Sequence, residues 1–131
     1  MAHVLVVEDN LLVAKFYRLA LERAGGHQVT CTEDVGEILR LVTSRAIDVV
    51  ILDVSLASCF YDGHAVDGLD VAHLIRQQPE GKGLPILLAT AHAMEGDRER
   101  LLAASGADAY LEKPIYDPQA LIRKVAELMA K

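Results

Sequence analysis

Five short apolar runs, rich in β-branched residues, alternate along the chain with longer stretches whose apolar positions recur at helical spacing. Residues 3–7 read as a strand. Residues 10–24 follow as a helix with Leu12, Phe16, Leu19 and Leu21 predicted inward, stopped by Gly25-Gly26. The run 28–32 is more polar and suits a sheet edge. Residues 35–44 form a helical stretch with Ile38, Leu39 and Val42 as its stripe, and 48–52 is an unbroken apolar run of the kind found in the middle of a parallel sheet.

The same alternation continues to the C-terminus. Helix 69–78 ends at Pro79, strand 86–89 follows Gly83 and Pro85, and the charged helix 96–105 stops at Gly106. Strand 109–111 and a closing helix 118–130, with Pro118 in its first turn, complete the series. Strands alternating with helices of this length predict an α/β fold, a doubly wound parallel sheet with helices on both faces. The segment 54–67, VSLASCFYDGHAVD, is longer than the ~2–6 residues usual between a strand and a helix. Its Phe60 and Tyr61 suit either a partner contact or a plug that folds the segment onto the body.

Bulk properties narrow the class. A chain of 131 residues makes one domain, 1–131, and a domain of this size buries roughly two-thirds of its unfolded surface without needing disulfides or structural metal. Hydrophobic residues at 52% and charged residues at 24% describe a globular protein. A net charge of -6 disfavours nucleic acid and anionic membrane as partners, since both recruit positive patches. Cys31 and Cys59 have no metal-type spacing and read as a reduced pair. With no secretory leader and no apolar run approaching ~20 residues, a cytoplasmic location is expected.

The candidate chemistry lies where the strands end. VLVV leads into Glu8-Asp9, VVIL into Asp53, ILLA into Thr90, and AYLE into Lys113-Pro114. In an open parallel sheet these ends lie side by side at the ligand crevice. Carboxylates gathered there repel one another, at a cost of about 1 kcal/mol per pair at ~4 Å in water and several times that when partly buried. A hard divalent cation relieves the repulsion, and Mg²⁺ suits a site with few carboxylates because it keeps several waters and accepts phosphate oxygens. Lys113 adds a positive charge for a phosphoryl group, Thr90 a hydroxyl, and Asp53 a carboxylate able to become an aspartyl-phosphate.

The motifs V-V-E-D-N, I-L-D, L-A-T-A and Y-L-E-K-P, in this order and spanning nearly the whole chain, resemble the receiver domain of two-component response regulators, of the stand-alone chemotaxis-regulator type. The resemblance implies a flavodoxin-like sheet of strand order 2-1-3-4-5 with five helices. It implies that Asp53 is the phosphoacceptor, that Asp9 binds Mg²⁺ directly and Glu8 through water, and that Ser55 offers its backbone carbonyl to the metal. It further implies that Thr90, Lys113 and the backbone of Ala91 hold the phosphoryl oxygens. Tyr110 corresponds to the switch aromatic, Ser55 and His92 to positions that tune the dephosphorylation rate, and Lys113-Pro114 to a bond that is usually cis. Two features depart from the family: Ala57 replaces a proline after the acceptor strand, and Gly68 lies farther from Asp53 than usual, which marks an insertion.

The resemblance implies a phosphorylation switch that takes its phosphoryl group from a histidine kinase or phosphotransfer protein and signals through contacts with a downstream protein. Three rivals are a non-switching module on the same fold, a phosphatase using an aspartyl-phosphate, and a flavin carrier. The first would lose an acid or the lysine. The second favours an acid two residues past the nucleophile, where this chain has Ser55. The third needs a phosphate cradle where Glu8 and Asp9 would repel it. A receiver excised from a larger kinase or regulator remains an alternative context. Taken singly, Asp53 also suits a cap, Thr90 a satisfied strand-end hydroxyl, and Tyr110 a permanent core aromatic. His3, His27, His64 and His73 show no ligand spacing, and the run 97–100 reads as a solvated helix face.

Overall fold

The computed structural model describes residues 2–54, 60–90, 97–112 and 117–130. Strands β1 (His3–Val7), β2 (Gln28–Cys31), β3 (Val49–Asp53), β6 (Ile86–Thr90) and β7 (Ala109–Glu112) form one parallel sheet in the order β2-β1-β3-β6-β7. Strands β4 (Phe60–Tyr61) and β5 (His64–Ala65) pair only with each other. Without that hairpin the sheet order is 2-1-3-4-5, the flavodoxin-like arrangement. Helices α1 (Leu11–Leu19), α2 (Val35–Thr43), α3 (Gly68–Gln77) and α4 (Asp97–Ser105) are the crossovers, and α5 (Pro118–Met129) follows the last strand.

Alternation along the strands divides the core into two layers. Leu5, Val7, Val50, Leu52, Ile86 and Leu88 face α2, α3 and Leu101 of α4. Val4, Val6, Val49, Ile51, Leu87 and Ala89 face α1 and α5, where Tyr17, Leu21, Leu121, Val125 and Leu128 close over them. Strands β3 and β6 are buried along their whole length, as unbroken apolar runs require. Strand β2, with Gln28 exposed, lies at the sheet edge.

Helix α1 corrects the expected inward set. Leu12 is 80% exposed and Leu19 is also exposed, whereas Ala14, Tyr17, Ala20 and Leu21 are buried. The helix carries two apolar rows. Asn10 caps it by accepting from the Leu12 and Val13 N–H groups, and from that start the row Ala14–Tyr17–Leu21 faces the sheet. Leu12 and Leu19, seven residues apart, share the other row, and Phe16 lies half-buried between the two. A wider π-helical turn, Ala20–Ala24, follows without turning Leu21 outward.

The long segment after β3 folds into more than a loop. Asp62 and Gly63, with φ of 53° and 80°, make the two-residue turn that joins β4 to β5. Two successive left-handed residues are what a tight hairpin needs, and Asp-Gly supplies them at low cost. The hairpin returns the chain to the sheet, where Asp67 and Asp70 form a reciprocal capping box that starts α3. Gly68 then packs directly on the end of β3. A Cβ at that position would lie 2.1 Å from the Asp53 carbonyl oxygen, and the Gly68 N–H donates to the Val54 carbonyl at 3.0 Å. The insertion separates Gly68 from Asp53 in sequence and leaves them touching in space.

Arg76 on α3 ties the far end of the sheet together. Its guanidinium donates to the carbonyls of Gly81, Leu84 and Gly106 and pairs with Asp108 at 3.0 Å. Asp108 also accepts from the Ile86 N–H at 2.9 Å, so this ion pair fixes the starts of both β6 and β7.

Candidate functional site

Parallel strands all end on one edge, and in the order found here β1, β3 and β6 are consecutive. Val7 pairs with Leu52, Asp53 with Ala89, and Thr90 with Glu112. This register sets Asp53 one step beyond the last apolar pair of β1 and β3. Glu8, Asp9 and Asp53 come together there, each offering a carboxylate oxygen within 4.8 Å of the others. Glu8 and Asp53 are each only 5% exposed, and Thr90 is fully buried.

The local turn holds the acids in place. One Glu8 carboxylate oxygen accepts from the Asn10 N–H at 3.2 Å, while the Asn10 side chain caps α1. The first turn of α1 therefore opens beside the acids, with its positive dipole end favouring negative charge. Three buried or half-buried carboxylates of like charge form a hard-oxygen donor set that fits a small divalent cation.

Asp53 follows Val49 and Ile51 on the face covered by α1 and α5, and Glu8 continues the row of Val4 and Val6 on that same face. Thr90 instead follows Ile86 and Leu88 on the α3 and α4 face. Tyr110, half-buried and paired in register with Leu88, lies on that second face as well. The hydroxyl and the aromatic thus share one side of the sheet, one pairing step apart. Ser55, Ala91, His92 and Lys113 lie outside the described residues, as do Ala57, Cys59 and Pro114. Glu112, at the end of β7, is the last described residue before Lys113.

The fold agrees with what related proteins show. The sequence matches the response regulator receiver domain over residues 4–126. The chain belongs to that family. It is 34% identical over 116 residues to the polar-differentiation response regulator DivK of Brucella anthropi, covering 88% of this chain and 87% of that protein. It superposes with a TM-score of 0.82 on the receiver domain of the sensor histidine kinase PA1611 from Pseudomonas aeruginosa, at 29% identity over 99% of this chain and 98% of that one. That receiver domain carries a magnesium ion coordinated in its active-site cleft. The chemotaxis protein CheY4 of Vibrio cholerae aligns at TM-score 0.81 and 26% identity, covering 98% of both chains.

As a receiver domain of the two-component type, the chain is a regulatory module of phosphorylation-dependent signalling and not a conventional enzyme. Among the described residues no helix is long and apolar enough to cross a membrane.

One residue near this receiver site has no counterpart in the sequence reading. Tyr17, on α1, is 1% exposed, and its hydroxyl has no hydrogen-bond partner among the described residues. Burial pushes the phenol well above its usual range, and the negative charges of Glu8 and then Asp53 raise it further. In the sequence it reads as one more core aromatic, because nothing in a helical period reveals where a phenol oxygen ends.

Proposed function

We propose that this receiver domain takes a phosphoryl group onto Asp53 from a histidine kinase or phosphotransfer protein, with Mg²⁺ as cofactor, and signals through contacts with a downstream protein. The observation that carries this reading is the gathering of Glu8, Asp9 and Asp53 within 4.8 Å at the carboxyl edge of the sheet. Asp9 would bind the cation directly and Glu8 through water, while Asp53 and the Ser55 carbonyl would complete the protein's share. When bound, the cation neutralises the acids and the developing charge on the phosphoryl oxygens.

The chain's own groups do the rest. An Asp53 Oδ attacks the phosphorus of a phosphohistidine and forms the new O–P bond. The P–N bond breaks, and its electron pair stays on the imidazole, which takes up a proton from solvent. Thr90 donates its hydroxyl to a phosphoryl oxygen, Lys113 sets its ammonium against another, and the Ala91 N–H contributes a third contact. Positioning and charge supply most of the rate in such transfers. Ser55 and His92 tune hydrolysis of the acyl phosphate. The charge of -6 favours protein partners over nucleic acid or anionic membrane, and the site's working compartment is the cytoplasm.

The reading is tested by incubating the protein with a small acyl phosphate and measuring intact mass with Mg²⁺ or with excess chelator. One added phosphoryl group with Mg²⁺ and none with chelator is expected. Equal modification in both would remove the metal from the mechanism.

A further inference from the structure

Tyr17 presents a buried hydroxyl that the packing of the core does not use. Its ring belongs to the layer between the sheet and helices α1 and α5, 6.0 Å from the ring of Phe16. An apolar ring of the same shape would fill that space equally well. The oxygen is nevertheless there, shielded from solvent, with no partner among the described residues. An unsatisfied buried hydroxyl is destabilising, and each such group in a native protein calls for an explanation.

Direction supplies one. Helix α1 begins beside the acids and runs back along the sheet, and helical side chains lean toward the N-terminal end of their own helix. Tyr17 therefore leans from mid-helix toward the carboxyl edge, on the face where the Val49–Ile51 row ends in Asp53 and the Val4–Val6 row runs on to Glu8. Of the two acids, Glu8 follows the strand whose turn leads straight into α1, the helix that carries Tyr17. A phenol hydroxyl has one hydrogen to donate.

We propose that Tyr17 is a positioning residue of the acid cluster, whose hydroxyl donates a hydrogen bond to the Glu8 carboxylate when the site takes up its divalent cation. This rests on the Mg²⁺ reading above. One Glu8 oxygen already accepts from the Asn10 N–H. A second donor would fix the rotation of the carboxylate that faces the cation. The hydroxyl is thus costly in the metal-free protein and favourable in the loaded one.

That opposition distinguishes positioning from packing. Tyr17→Phe removes the unsatisfied oxygen and keeps the ring. The metal-free variant is expected to unfold about 3 °C higher than wild type, the shift that follows from relieving one buried donor. Its Mg²⁺ dissociation constant, measured by calorimetric titration with Mg²⁺ alone, is expected to rise about fourfold, in line with the few-fold loss expected on removing Glu8 itself. In a Glu8→Ala background, Tyr17→Phe is expected to change Mg²⁺ affinity less than twofold. Unchanged affinity in Tyr17→Phe would overturn the proposal, and a full effect persisting without Glu8 would overturn its assignment to that carboxylate. A wild-type protein that binds no Mg²⁺ would instead overturn the metal reading on which the proposal stands.

Discussion

Single residues at the carboxyl edge differ in the work they do, and the differences are measurable. Glu8, Asp9 and Asp53 share one small volume, so deleting any one of them removes a ligand and also relieves repulsion between the remaining two. For a direct ligand the loss dominates; for a group acting through water the two effects come closer to cancelling. Asp9→Ala is accordingly expected to weaken Mg²⁺ binding at least tenfold and Glu8→Ala only a few-fold, read by calorimetric titration. Equal affinities in wild type and both variants would refute these roles. Each acid stands out in the sequence because it interrupts an apolar run at the point where a strand ends. Tyr17 does not stand out, because a phenol on an apolar helix row has the same pattern as a phenylalanine. Only the side-chain geometry shows that its oxygen is buried without a partner.

Elements bring those residues together, and the least regular one matters most to Asp53. The hairpin of β4 and β5 absorbs the insertion so that Gly68 still reaches the Asp53 carbonyl. A Cβ 2.1 Å from that oxygen and 2.6 Å from the Val54 Cα meets backbone on both sides, so neither neighbour can step away cheaply. Gly68→Ala is expected to lower stability by about 2–4 kcal/mol, the range for a steric conflict in a packed interior. Because the displaced backbone carries Asp53, phosphoryl uptake should fall as well. Wild-type denaturant unfolding and wild-type uptake in this variant would contradict the close approach. The inner strands were legible as apolar runs, since burial on both faces leaves little room for polar residues, and the edge strand β2 as a shorter, more polar one. The facing of α1 was not, because its two apolar rows compete and the Asn10 cap decides between them. The hairpin had a local signal, Asp62-Gly63 between Phe60-Tyr61 and His64-Ala65, but each arm is only two residues long. Arg76 gave no signal, because its partners are four backbone carbonyls, which carry no side-chain pattern, and one acid distant in sequence.

At the scale of the whole molecule, the candidate site residues divide between the two faces of the sheet. Glu8 and Asp53 belong to the α1 and α5 side, while Thr90 and Tyr110 belong to the α3 and α4 side. A phosphoryl group that draws the Thr90 hydroxyl toward the edge leaves space beneath it, and half-buried Tyr110, one pairing step away, is placed to fill it. Phosphorylation is therefore expected to shift backbone amide resonances around Tyr110 and Ala104 as well as around Asp53. Changes confined to the acid cluster would count against this coupling. All of these consequences depend on Asp53 being the acceptor. The most direct measurement is intact mass and peptide mapping of wild type and Asp53→Asn after incubation with Mg²⁺ and a small acyl phosphate. The account predicts one phosphoryl group on the wild-type peptide containing Asp53 and none on the variant. An Asp53→Asn protein modified to the wild-type extent would contradict it.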